Sequence, residues 1–159
     1  MRLGLSAAIR CGIVAGMAHP MTDEQARAFL TEGTRTGKLA TTMADGRPHV
    51  APIWFILDGP DLLFMTGANT VKGRSLRRDP RAALTVDLEE PPYAFVMVQG
   101  SVELSEDLDE MLPVSTAIAR RYVEESEAEA YGRRNAVAGE LLVRLRPDKI
   151  VAVADLMGE

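Results

Sequence analysis

The stretch Leu63–Arg81, LFMTGANTVKGRSLRRDPR, holds the densest set of groups able to do chemistry. An apolar run ends at Thr66-Gly67 and passes through small residues. It then enters a segment carrying Lys72, Arg74, Arg77, Arg78 and Arg81 against a single acid, Asp79. A strand end followed by a helix start presents free backbone N–H groups and the positive end of the helix dipole, a combination that binds phosphate. Thr66 and Thr70 offer hydroxyl donors, and Lys72 a point charge. Gly67 and Gly73 permit close approach by a ligand or another backbone. Helix arginines are mostly solvated or paired with surface acids, and Arg77, Arg78 and Arg81 are assigned to that role. Lys72 and Arg74 stand evenly between ligand contact and solvation on residue chemistry alone.

Other reactive groups are sparse. Cys11 is the only cysteine, so no intramolecular disulfide can form and nothing points to an oxidising compartment. One cysteine with His19 and His49 cannot fill a four-ligand zinc site, and no metal is expected. His49 is an acid–base candidate as an imidazole, but its place beside Pro48 favours a solvated surface histidine. The acids from Glu103 to Glu110 and from Glu124 to Glu129 lack the spacing of a calcium loop and are assigned to solvated faces. Trp54, the one tryptophan, is open between cofactor contact and packing in a core or interface. The net charge of −5 argues against bulk attraction to nucleic acid.

The elements that must position these groups follow from periodicity. Thr22 or Asp23 caps a helix whose stripe is Ala26, Phe29 and Leu30, and Gly33 and Gly37 end it. The period then changes to two. Residues 38–43 and 48–57 form strands around the Ala44-Asp45-Gly46 turn, and residues 62–66 form a third beyond Asp58-Gly59-Pro60-Asp61. A short helix over residues 70–78 is stopped by Asp79-Pro80. Strands at 81–88 and 93–104 flank the Glu89–Pro92 turn. Residues 107–129 are helical, with a break expected near Pro113. Strands at 140–145 and 150–154 close the chain. Short connections between successive strands predict an antiparallel meander, and the whole predicts a mainly β fold of six or seven strands with peripheral helices.

At 159 residues one domain with a single full core is expected, spanning residues 22–159. Residues 1–21 are apolar and rich in small residues, but Arg10 divides the run and nothing approaches the ~20 residues of a membrane span. With Met17 and Met21 as internal methionines, the segment is read as a disordered extension of a cytoplasmic protein.

From residue 23 to residue 156 the chain resembles the pyridoxamine-phosphate-oxidase-like split β-barrels that bind FMN or F420. The carrying phrases are GKLATTMADGRPHVAPIWF, LLFMTGANTVKGRSLRRDPRAAL and the strand ending Val98-Gln99-Gly100. The Lys-x-Arg-x-Leu-Arg-Arg-Asp-Pro-Arg phrase is more similar to the actinobacterial branch that uses F420. The resemblance implies a phosphate grip at Phe64, Thr66, Thr70 and Lys72, with Gly67, Gly73 and Arg74 beside it. It also implies that Pro52, Ile53 and Trp54 line the ring system and that Tyr93 reaches the substrate side. Val71 stands where FMN-using oxidases have a second basic residue. The implied activity is reduction of a conjugated small molecule with F420 as cofactor, in a homodimer whose cofactor sites lie at the interface. The alternatives are an FMN enzyme of the same family and a non-catalytic binder of a deazaflavin or tetrapyrrole. No partner among nucleic acids or membranes is implied.

Overall fold

A computed structural model describes residues 18–157. The expected extension lies outside the described residues except at 18–21. There the boundary moves: His19–Pro20 forms a short strand, β1, paired with the last strand, and Met21 is buried. Met21 N–H also donates to the carbonyl of Ala152. Pairing across the sheet, rather than any local pattern, orders these residues.

Helix α1 (Asp23–Thr31) begins at Thr22, whose hydroxyl accepts from Gln25 N–H while the Gln25 side chain accepts from Thr22 N–H. This reciprocal box supplies two of the otherwise orphaned donors of the first turn. Thr22→Ala is therefore expected to cost about 1 kcal/mol of stability, measured as a shift in the urea midpoint at unchanged slope.

The strands that follow are β2 (Gly37–Thr42), β3 (Pro48–Ile53), β4 (Ile56–Asp58), β5 (Asp61–Gly67), β6 (Arg81–Leu88), β7 (Ala94–Ser105) and β8 (Glu140–Ala154). With β1 they make one eight-stranded, wholly antiparallel sheet in the order β3-β2-β6-β7-β8-β5-β4. Helix α2 (Val71–Arg78) follows β5. Helices α3 (Leu108–Tyr122) and α4 (Glu125–Asn135) lie between β7 and β8.

The topology itself requires the sheet to curl. β3 and β4 are its two ends, yet only Trp54 and Phe55 separate them in the chain. The two edges must therefore come together at that joint, which makes a barrel that stays unpaired along one seam. The expected single strand over 48–57 is broken here. Of its apolar residues, Ile53 at the end of β3 and Phe55 in the joint are buried.

Three further differences from the expectation have local causes. Among the described residues the strand count is eight rather than six or seven, because β1 forms and the 48–57 run divides while the final two strands merge into one. β8 runs 15 residues through Pro147, which is tolerated because the register shifts at Gln99/Gly100 on β7. A Cβ on Gly100 would stand 1.9 Å from the Arg146 carbonyl oxygen, so the bulge needs glycine. Pro113 lies inside α3, and the helical region breaks instead at Val123, which is extended. The core inside the sheet is built from alternate strand residues, among them Leu39, Leu62, Phe64, Leu84, Val96, Val98 and Val143.

Candidate functional site

β5 ends at Gly67, and the chain turns tightly into α2. Thr70 organises that turn. Its hydroxyl accepts from Gly73 N–H at 3.1 Å and donates to the Gly67 carbonyl at 2.8 Å. It also lies 3.2 Å from the Thr66 hydroxyl. The Thr70 proton is thus engaged, and the Thr66 hydroxyl is left to donate to Thr70. In this arrangement neither threonine holds a free proton for a ligand, and Thr70 acts as the helix cap. Gly73 is required by packing: a Cβ there would sit 2.3 Å from the Gly67 carbonyl oxygen.

A cavity of about 470 Å³ opens beside this turn. One wall is the end of β5 and the start of α2, with Met65, Thr66, Gly67, Thr70 and Lys72. A second is Pro52, Ile53 and Trp54 at the seam, with Thr36. The third is helical, with Ser115, Ile118 and Ala119 from α3 and Asn135 at the end of α4. Glu140, the first residue of β8, completes it.

Of the residues singled out by sequence, Pro52, Ile53, Trp54, Thr66, Gly67, Thr70 and Lys72 meet at this cavity. Phe64 is fully buried in the core behind it. Val71, Gly73, Arg74 and Tyr93 do not line it. The Arg74 guanidinium turns back to donate to the Asn69 carbonyl. Tyr93 follows the Pro91-Pro92 cis peptide with φ of 50° and accepts from Leu156 N–H through its carbonyl. His49 stands opposite Thr41 on the β2–β3 hairpin, outside the cavity lining. Arg77 pairs with Glu106, Arg78 with the Thr42 carbonyl and Arg81 with Asp79, as expected of surface arginines. Lys72 differs from all of these: among the described residues it makes no ion pair or hydrogen bond through its ammonium group.

The seam wall is held by α3. Arg121 donates to the carbonyls of Gly33 at 3.0 Å, Leu30 at 2.8 Å and Phe55 at 2.9 Å. The Tyr122 hydroxyl donates to the Arg35 carbonyl at 2.9 Å and accepts from Phe55 N–H at 3.3 Å. Burial lowers the Arg121 pKa and raises that of Tyr122, which fits their use as structural donors. Trp54 stacks on Tyr122 with ring centroids 5.0 Å apart and planes 2° from parallel. Tyr131 of α4 packs against the same indole at 6.3 Å. Trp54 therefore packs against the helices while it lines the cavity.

Sequence reasoning missed Ser115, Asn135 and Glu140. Ser115 is 2% exposed, and its Oγ has no hydrogen-bond partner. An orphaned buried hydroxyl on a cavity wall costs free energy unless something placed in the cavity bonds to it. The Glu140 carboxyl is pushed above its ordinary pKa by burial. Together the lining offers apolar faces at the seam, one cation, one acid and unpaired neutral polar groups. That composition suits a planar organic ligand with an anionic tail.

Residues 22–154 match the family described as pyridoxamine 5'-phosphate oxidase. The chain belongs to that family. Solved structures of similar fold include a conserved hypothetical protein from Mycobacterium tuberculosis, with a TM-score of 0.74 and 22% identity over 95% of this chain and 91% of that one. An F420 reductase is 27% identical with a TM-score of 0.61, covering 77% of this chain and 94% of that one. A heme binding protein from Mycobacterium smegmatis is 24% identical with a TM-score of 0.65, over 83% of this chain and 53% of that longer one. Among the described residues no helix is long and apolar enough to cross a membrane. No cluster of potential metal ligands occurs among them either.

Proposed function

We propose that this member of the pyridoxamine 5'-phosphate oxidase family is an F420-binding reductase of conjugated small molecules that works as a homodimer. The observation that carries the reading is the cavity beside α2. It is large enough for a flavin-sized ring system, its seam wall is apolar, and among the described residues its one lining cation is the unpaired Lys72. The likeness to an F420 reductase supports the choice of cofactor. So does Val71, which leaves the phosphate side with one cation where an FMN oxidase has two.

A bound deazaflavin or flavin supplies the two-electron chemistry. The chain's own residues have simpler tasks. Pro52 and Ile53 present an apolar surface to a ring, while the Trp54–Tyr122–Tyr131 stack closes one side against water. The first-turn amides of Val71 and Lys72 precede the first intrahelical bond, which runs from Arg74 N–H to the Thr70 carbonyl. These amides and the Lys72 ammonium hold an anionic tail. Among the described residues no histidine or cysteine lines the cavity. His49 and Tyr93 lie outside its lining, which leaves Ser115, Thr36, Lys72 and Glu140 as the proton-bearing side chains nearest a bound substrate, with the Thr66 and Thr70 hydroxyls engaged.

The test is a side-by-side calorimetric titration of the protein with F420, FMN and haem. Tighter binding of F420 than of FMN is expected. Tighter FMN binding would move the protein to the flavin enzymes, haem binding alone would favour a carrier, and binding of none would overturn the cavity assignment.

A further inference from the structure

Among the described residues Lys72 and Glu140 are the only charged ones lining the cavity, and they form no ion pair with each other. Glu140 lies directly opposite Gly67 in the β5–β8 register. Its Oε1 is 3.4 Å from the point where a Cβ on Gly67 would stand, and the Thr70 methyl is 3.1 Å from that point. The carboxyl group therefore lies beside the Gly67–Thr70 turn, on the lining of the cavity that Lys72 also lines. Its side chain makes no hydrogen bond or ion pair among the described residues.

A carboxylate is an unexpected neighbour for a phosphate cradle. It changes what the cradle can hold. With Lys72 and an ionised Glu140 the side chains carry no net charge, and only the helix N-terminus adds positive potential. One negative charge placed beside Lys72 is accommodated. A second meets the Glu140 carboxylate in a partly desolvated site, where like charges repel far more than in water. Phosphate groups divide on this point. A phosphomonoester has a second ionisation near pH ~6 and is mostly a dianion at pH 8. A phosphodiester keeps a single negative charge throughout.

We propose that Glu140 is a specificity-determining residue of this cavity, admitting a phosphodiester monoanion beside Lys72 and discriminating against a phosphomonoester dianion. The proposal rests on the reading of the cavity as the cofactor site, and goes beyond it by naming the group that selects the tail. F420 carries its tail through a phosphodiester, whereas FMN ends in a phosphomonoester. Ser115 and Asn135 are neutral and can bond to either ligand, so they do not contribute to this choice.

The pH dependence follows from the same charges. The elements packed around Glu140 place only Lys72 in the cavity as a charged group. β3, β5, α3 and α4 contribute uncharged side chains there. Burial favours the protonated form of Glu140. As the pH falls, Glu140 takes up a proton and the phosphomonoester loses its second charge, so discrimination fades towards acid.

Calorimetry on the full chain tests this with F420, FMN and riboflavin, in wild type and Glu140→Gln, at pH 8 and at pH ~5.5. The substitution is nearly isosteric and removes no hydrogen bond, so unchanged melting is expected. At pH 8, Glu140→Gln should tighten FMN binding about tenfold and F420 binding about twofold or less, with riboflavin unchanged. The wild-type preference for F420 should shrink at the lower pH, and the variant should show less of that change. An equal gain for both cofactors, or no gain for either, would overturn the role of Glu140 while leaving the cavity assignment standing. Failure of both proteins to bind any of the three ligands would overturn the cavity assignment and this proposal together.

Discussion

Replacing Phe55 with alanine is expected to lower folding stability by about 3–5 kcal/mol, the scale for truncating a fully buried aromatic. Phe55 is 0% exposed and sits in the two-residue joint between the ends of the sheet. Its ring packs in the core, with the Arg121 guanidinium 4.6 Å from the centroid. Its backbone is bound on both sides, the N–H by Tyr122 and the carbonyl by Arg121. Removing the ring leaves a cavity where the barrel closes and exposes Arg121 to a void. Neither edge strand can slide inwards to fill it, because β3 and β4 are tied to β2 and β5. A domain with 5–15 kcal/mol of stability would lose a large share of it. Denaturant unfolding followed by Trp54 emission measures the change, since that indole stacks on Tyr122 beside the joint. Phe55→Leu should cost less than half as much. A loss under about 1 kcal/mol in the alanine variant would mean that the seam is not anchored through this ring.

The joint was invisible in the sequence for a physical reason. Pro52-Ile53-Trp54-Phe55-Ile56-Leu57 is a continuous apolar run, and periodicity has no signal for a point where one strand leaves one sheet edge and another enters the opposite edge. Elements bounded by their own chemistry were legible. The Asp45-Gly46 turn, with Gly46 at φ of 84°, defines the β2–β3 hairpin. Thr70 and Asp79-Pro80 delimit α2, and the strand expected at Arg81–Leu88 is found with those bounds. Elements that depend on distant partners were not. β1 exists because β8 pairs with it, and β8 continues through Pro147 because the opposing β7 bulges at Gly100.

The candidate site divides in the same way. Its α2 side is encoded within one short segment, where hydroxyls, glycines and cations stand close together in the chain. Its other side comes from Ser115 on α3, Asn135 on α4 and Glu140 on β8, all distant from α2 in the chain. None of these residues carries a local mark. Ser115 looks like any helix serine until its Oγ is found buried without a partner. Arg121 was equally hidden, one of two adjacent arginines near a helix end, although it bonds to three carbonyls across the seam.

Lys72→Ala should weaken binding of the anionic cofactor by about 1.5–3 kcal/mol, or roughly 10- to 150-fold in Kd, the scale for hydrogen bonds to charged groups. The expectation is sharpened by what the neighbouring groups already do. Thr70 is engaged as the α2 cap, Thr66 is bonded to it, and Arg74 is turned back to Asn69. Val71 adds only a backbone amide. The grip on a phosphate therefore falls to Lys72 and the first-turn amides, with no second side chain to substitute for the lysine. Because the ammonium group has no partner among the described residues, its removal should leave thermal stability nearly unchanged. Calorimetry with F420 and a melting curve read the two quantities separately. Loss of fold and affinity together would point to a structural role instead, and unchanged affinity in a folded variant would remove Lys72 from the site. The double variant Lys72→Ala/Glu140→Gln carries the argument one step further. With the lysine gone, Glu140 is the one charged residue left on the cavity lining among the described residues, so neutralising it should recover part of the lost affinity. Such recovery requires both side chains to act on one anion, because two sites acting independently would give separate and additive changes.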